Sequence, residues 1–526
     1  MGMTASNRRL SRFAAVFAGG TLASRVLGMV REMVLMRMVP GIDTFLVAFR
    51  LPNMLREMVG EGAMNAAFVP VFSDSRETDD PEAFNRLVAS AMGAMVLVLG
   101  LLTAVGVWLV PYLLNGVTYL EALTGAPGPD AEELAVAHTL ARWTFPYLFL
   151  IGMTVFCMGP LFTLQRYLTP SWAPVLLNVS MIATCVLFSE VWPDVFPDLT
   201  YALVFGVWIG GIAQLATVYV DLGVHTGIWL PRFGLMHPGV REIGLLLVPV
   251  IMGQAAGEVN RLVDMLFAYA LETGTVKQLY CANRLVQLPL SIFGGAMAVA
   301  VLPTLSAAMA RADVEAARDG LTHGFRQMLC FILPSSLGLV VLGRPVVRML
   351  FEGGAFTPED TDRTTVALAV SAVGLLAFGL FRIAVTGFYA VKDTRTPVII
   401  SAISMGLNVL LNVALVPFLG YVALPLTTSI AFVVNAGALI ALLRDRYGPL
   451  FDAAFTTAVI RMSLAAVLAC ALGYGVYVRL ADVQPDAVIL QGIVPTALAA
   501  AAYLAFCRAL HVREIEAITR LFRRGG

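Results

Sequence analysis

The sequence predicts an all-α polytopic membrane protein: fourteen transmembrane helices, with two six-helix lobes related as parallel repeats plus two extra C-terminal helices. Three observations predict it. Of 526 residues, 59% are apolar and only 13% charged, where soluble domains carry about 25% charged residues. Apolar stretches long enough to cross a hydrocarbon core of roughly 30 Å recur to the C-terminus, and the mean hydropathy is +0.81. A short motif also returns at an offset of about six helices. Alternating β periodicity is absent, which argues against a barrel. Basic and acidic residues number 35 each, so the zero net charge argues against a nucleic-acid partner.

The predicted spans lie near 11–39, 43–73, 87–113, 134–159, 161–188, 199–222, 242–271 and 276–306. The remaining six lie near 324–343, 364–390, 396–418, 421–443, 457–479 and 485–510. With the N-terminus inside, the inside segments hold 21 basic residues and the outside segments 6. Basic residues collect on the cytoplasmic side, so both termini are expected there. No cleavable leader is expected, because the first span runs on through Arg25 without a small-residue cleavage site. The six cysteines stand singly in apolar helices and read as small core residues. No phosphate-binding loop or nucleophile–base pair is visible, so a transporter is favoured over an enzyme.

The repeat rests on Gly62-Ala63-Met64 followed by Val69-Pro70, which returns as Gly295-Ala296-Met297 followed by Leu302-Pro303. Arg50-Leu51 matches Arg284-Leu285 with a one-residue slip, and Arg166 with Pro170 echoes Asp393 with Pro397. An even offset preserves orientation, so the halves repeat about an axis along the membrane normal, a plan transporters share. The lobes are expected at 1–225 and 226–445, with 446–526 an addition of two helices and a basic tail.

Eight basic residues fall inside spans, and four of them (Arg25, Arg31, Arg50 and Arg56) lie in the first two. A charge at the bilayer centre costs roughly 2.5–3.5 kcal/mol on insertion scales, so such residues face a cavity or a partner. In the first span Ser24 and Arg31 share one face, Arg25 and Glu32 share another, and the two faces adjoin. Arg56, Glu57 and Glu61 follow in the second, with Asn53 and Asn65 nearby. Arg284 sits at the matching place in the second half. Clustered guanidiniums with only two lysines in the chain suit two-point contact with phosphate oxygens. A second polar set comprises Asp264, Asn408, Asn412 and Thr428. Its oxygens suit a small hard cation, and the same groups serve interhelical hydrogen bonding equally well.

Six segments carry a family resemblance. They are SRVLGMVRE (24–32), FRLPNMLREMVGEGAMNAAFVP (49–70), RYLTPSWAPVLLN (166–178), NRLVQLPLSIFGGAMAVAVLP (283–303), GAFTPEDT (354–361) and DTRTPV (393–398). Together, and in this order, they resemble the MurJ/MviN lipid II flippases of the MOP exporter superfamily. The resemblance implies movement of the lipid-linked peptidoglycan precursor, lipid II, from the inner to the outer leaflet of the bacterial cytoplasmic (inner) membrane. It implies that Arg31, Arg56 and Arg284 contact the diphosphate or first sugar, with Ser24, Arg25 and Asp43 lining the same cavity. Glu61 would be the acidic residue of the second-span motif. Asp264, Asn408, Asn412 and Thr428 would be a sodium site, sodium being the one cofactor implied. The last two helices would take the polyprenyl tail, and membrane lipids and cell-wall synthesis proteins are the implied partners. Glu32 stands where relatives often have Asp, and Asn412 where some have Asp. The competing readings are a cation-coupled exporter of another polyprenyl-linked saccharide or of drugs, and a non-transporting membrane scaffold. A drug exporter should favour acidic and aromatic cavity residues, and a scaffold needs no mid-membrane arginine.

Overall fold

The computed structural model describes residues 5–63, 67–77, 80–125, 128–311 and 313–515, with backbone only at 5–15, 17–18, 59–63, 253–254, 256 and 294–300. Among the described residues the chain is helical throughout, and its single β-type pairing is the bridge between Gly353 and Phe356. Packing groups it into two compact units, Met1–Ala122 with Pro127–Gly274, and Leu123–Ala126 with Thr275–Gly526.

The first unit contains α1 (Ala5–Met38), α2 (Ile42–Ala63), α3 (Val69–Glu77), α4 (Pro81–Thr124), α5 (Ala131–Thr144), α6 (Tyr147–Thr163), α7 (Leu168–Glu190), α8 (Leu199–Thr226) and α9 (Pro238–Tyr269). One part of its core is aromatic. Phe68, Phe72 and Phe156 meet edge-on or stacked at 5.6–6.2 Å, joining α3 to α6, the offset geometries that aromatic quadrupoles favour. At 44 residues, α4 is about 66 Å long, about twice the hydrocarbon thickness, so it runs well past the predicted end of that span. Helix α8 stops where Gly227 adopts φ 72° and its N–H caps the Gly223 carbonyl at 2.8 Å. A side chain at that left-handed position would be strained.

The second unit contains α10 (Thr275–Pro289), a π-helical turn (Leu290–Gly294), α11 (Gly295–Ala310), α12 (Val314–Phe351), α13 (Pro358–Tyr389), α14 (Arg395–Leu419), α15 (Ala423–Tyr447), α16 (Ala453–Val483) and α17 (Val488–Ala509). Helix α17 is fastened to α12 at both ends. Tyr503 donates to the Cys330 carbonyl at 2.7 Å. Arg348 donates to the buried Gln491 at 3.2 Å, which in turn donates to the Gln484 carbonyl at 2.7 Å. Beyond α17, Arg326 pairs with the buried Glu514 at 2.6 Å.

Each of the fourteen predicted spans coincides with a helix or a pair of helices. By length and hydropathy alone, nine helical stretches among the described residues can cross a membrane, ten with the bent α9 counted. One of the nine is α14 and α15 together. Outside this count lie α1, α2 with α3, and α10 with α11, the helices that carry Arg25, Arg31, Arg56 and Arg284. Proline interrupts one predicted span. Pro146 ends α5 and starts α6, because it cannot donate a helical hydrogen bond. π-Helical geometry occurs near both copies of the repeated Gly-Ala-Met motif, after the first at residues 67–68 and before the second at Leu290–Gly294.

The second echo resolves into two different uses. Arg166, at the foot of α7, pairs with Asp221 of α8 at 3.5 Å. Asp393 instead accepts from the Thr396 backbone and hydroxyl at 3.1 and 2.8 Å. The backbone N–H holds its carboxyl below the usual carboxylate range.

Candidate functional site

Helices α1 and α7 hold Arg31 between them. Its Nη1 donates to the Asn178 Oδ1 at 3.0 Å, and its Nη2 pairs with Glu32 at 2.5 Å. Asn178 Nδ2 then donates to the Ser24 carbonyl at 3.1 Å, two helical turns before Arg31. One amide therefore bridges the two positions that sequence periodicity placed on one face. The Arg31 side chain is 12% exposed and Glu32 is 6% exposed, so the guanidinium is oriented before any ligand arrives. Arg25, one residue after Ser24, is exposed. Glu32 pairs with Arg31, although helical periodicity put Glu32 on the face of Arg25.

On α2, Arg56 donates its Nε to Asn53 Oδ1 at 2.9 Å and lies 3.8 Å from Glu57. Glu57 also accepts from Asn53 at 2.9 Å, approaches Arg50 at 4.0 Å and approaches Arg261 of α9 at 3.4 Å. Glu258 completes the set, with Arg50 at 2.8 Å and Arg261 at 2.5 Å. Helix α9 bends by 46° between Pro238–Met252 and Gly257–Tyr269, with Pro249 one turn before the bend. Both α9 residues of the network follow it.

Asp43 sits in the first turn of α2, about 20 Å along the helix from Arg56. It is buried and accepts from the Gly274 backbone N–H in the turn after α9. Glu61 lies where only the backbone is described, and Asn65 lies outside the described residues.

In the second unit, Arg284 of α10 folds onto its own helix. Its Nε and Nη2 donate to the Tyr280 hydroxyl at 3.2 and 2.8 Å, and the guanidinium lies 5.1 Å from the ring centroid. A stacked, forked guanidinium keeps its charge and its planar donors.

The residues expected to hold a cation divide. Asp264 is in α9 of the first unit, where it accepts from Asn260 at 3.3 Å. Asn408, Asn412 and Thr428 are in the second unit. Asn408 donates to Thr427 at 3.4 Å and to Thr428 at 3.2 Å, Asn412 donates to Asn408 at 3.3 Å, and Thr427 donates to Asn412. Asn408, Asn412 and Thr427 are at most 1% exposed. Amide and hydroxyl oxygens suit sodium in kind. Both amide oxygens already accept hydrogen bonds within α14 and α15, so the set is also complete as interhelical packing.

Sequence reasoning missed Asn178, Thr427, Glu258 and the role of Arg261. The first was visible only as the last residue of a quoted motif. Glu258 and Arg261 carried a usable signal, an acid–base pair three residues apart in an apolar span.

Comparison with known proteins decides the family. The family model described as "Lipid II flippase MurJ" matches residues 39–488, most of the chain. The chain belongs to the MurJ lipid II flippase family. A probable lipid II flippase MurJ of Vibrio cholerae is 34% identical over 82% of each chain. One from Rhizobium meliloti is 32% identical over 98% of this chain and 96% of its own. Among solved structures, a lipid II flippase MurJ in an inward closed conformation matches 94% of this chain and 99% of its own, with TM-score 0.74 and 22% identity. An inward-facing multidrug resistance MATE transporter of the MOP superfamily matches 83% of this chain and 98% of its own, with TM-score 0.64 and 14% identity. At those identities the structural likenesses establish the fold that MurJ and MATE proteins share.

Proposed function

We propose that this chain flips lipid II from the inner to the outer leaflet of the bacterial cytoplasmic membrane by alternating access. As a member of a transporter family it moves its substrate without chemistry on it. The carrying observation is Arg31, an in-span guanidinium in a MurJ-family chain, nearly buried and pre-oriented by Asn178 and Glu32. Arg31 and Arg56 grip the diphosphate or first sugar, and Arg284 supplies the contact from the second repeat. Ser24 and Arg25 complete the head-group site in the first unit. The cytoplasmic side is where the substrate is loaded, and cell-wall synthesis proteins receive it outside. Depleting the protein in its bacterium and assaying lipid II on each leaflet tests this. Lipid II should accumulate in the inner leaflet, and unchanged leaflet distribution would refute the reading.

The orientation follows from the basic-residue bias. In a variant lacking the six native cysteines, a cysteine at Gly128 should react with an impermeant maleimide in intact cells, and one at Asp80 should be protected. The reverse pattern would invert the direction of transport.

Sodium binding at Asn408, Asn412 and Thr428 of the second unit is a separate proposal, supported by the oxygen chemistry of the set. An added carboxylate in Asn412→Asp should strengthen the site. Binding only the folded state raises apparent stability, by about 2.7 kcal/mol at a hundredfold excess over Kd. The melting temperature of Asn412→Asp should therefore rise in sodium over choline at equal ionic strength. Identical melting in both salts, for this variant and the wild type, would make the set packing alone.

A further inference from the structure

The network on α2 and α9 contains more positive than negative groups, and its geometry is unusual in one respect. A single carboxylate, Glu57, faces three guanidiniums, Arg261 at 3.4 Å, Arg56 at 3.8 Å and Arg50 at 4.0 Å. Glu258 is nine-tenths buried and binds only two of them, more tightly, at 2.5 and 2.8 Å. Glu57 is 31% exposed, and Arg56 and Arg261 are 35% and 49% exposed. Glu258 thus anchors the cluster, while Glu57 lies loosely across its open side. Guanidiniums that converge on one carboxylate present the planar donors that phosphate oxygens take up.

The charges point the same way. Arg50, Arg56 and Arg261 against Glu57 and Glu258 leave one net positive charge. With Glu57 withdrawn the cluster carries two, matching the roughly two negative charges of a diphosphate diester.

We propose that Glu57 is a built-in competitor for the substrate's diphosphate, occupying the guanidiniums of Arg56, Arg50 and Arg261 until the head group displaces it. This rests on the reading that Arg56 grips the head group. Displacement keeps affinity moderate and returns the carboxylate when the substrate leaves, so release is assisted from within the site. A flippase must let go of its cargo, and a cluster with no internal anion would hold it.

The test is binding of a short-chain, water-soluble lipid II analogue to purified full-length protein, with inorganic pyrophosphate as competitor. Glu57→Gln keeps the hydrogen bond from Asn53 and removes the charge. It should bind the analogue about tenfold tighter, with pyrophosphate competing correspondingly better. It should also release the analogue more slowly, and Glu57→Ala should follow it. Arg56→Ala should weaken binding, and adding Glu57→Gln to it should restore little. Unchanged or weaker binding by Glu57→Gln, while Arg56→Ala still binds poorly, would make Glu57 a mere positioning group and overturn the proposal alone. Tightening for the analogue without any for pyrophosphate would also overturn it, since diphosphate would not be what Glu57 opposes. Wild-type binding by Arg56→Ala would remove that residue from the head-group site, and the proposal with it.

Discussion

Arg31→Ala should abolish complementation of a depleted strain while the protein still reaches the membrane. A charged hydrogen bond to a buried phosphate contributes roughly 1.5–3 kcal/mol, about tenfold to a hundredfold in binding. Arg31 is also the ion-pair partner of the buried Glu32, and stripping one member of such a pair costs about 3–5 kcal/mol of stability. Two losses are therefore expected from one substitution, and they separate. Pairing Arg31→Ala with Glu32→Gln neutralises the abandoned carboxylate and should recover melting temperature without recovering flipping. Arg31→Lys should rescue only in part, because an ammonium lacks the planar fork that meets both Asn178 and a phosphate. Full growth of the double variant at native expression would take Arg31 out of the site. Arg56→Ala and Arg284→Ala should fail for the same reason, with smaller folding effects, since Arg56 is more exposed and Arg284 is held by its own helix.

Gly210→Val should be comparably severe through packing alone. Helices α7 and α8 approach closely through Gly206 and Gly210, the small-xxx-small spacing that lets backbones meet in membranes. A Cβ at Gly210 would lie 2.8 Å from the Leu177 Cα, and one at Gly206 3.1 Å from the Met181 Cα. Ser180 Oγ donates to the Gly206 carbonyl at 2.9 Å across the same contact. Overpacking of this kind costs typically 1–3 kcal/mol, and here the obstacle is backbone, which cannot rotate away. Leu177 and Met181 flank Asn178, so forcing α7 outward also moves the amide that orients Arg31. Gly210→Val should lower both the melting temperature and flipping, and Gly210→Ala should do so to a lesser degree. Ser180→Ala, which removes that interhelical hydrogen bond and leaves the approach open, should cost about 0.6 kcal/mol and little activity. Wild-type melting of Gly210→Val would show that the two helices do not depend on that contact.

Much of the fold was legible because it depends on local quantities. Whether a stretch can cross a membrane is a sum over some twenty adjacent residues. The π-helical turns near Gly62-Ala63-Met64 and Gly295-Ala296-Met297 were not read from the sequence. Helical geometry there departs from the regular ladder by one residue, and hydropathy does not register such a change.

The candidate site divides along the same line. That Arg31 and Arg56 needed partners followed from the cost of a charge in hydrocarbon, which is a property of residue and position. Which partners they found did not follow. Asn178 lies 147 residues from Arg31, and Glu258 lies 208 from Arg50. Periodicity on one helix contains no information about the facing residues of another, so Glu32 could be matched to Arg25 by face and yet pair with Arg31. The sequence by itself determined the helices and the arginines that must be accommodated. Tertiary structure alone decided that α7 would hold Arg31 and that α9 would supply Glu258 and Arg261 to the cluster around Glu57. The physical reason is that ion pairs and hydrogen bonds are made at about 3 Å between atoms, and only packing brings distant residues within that range.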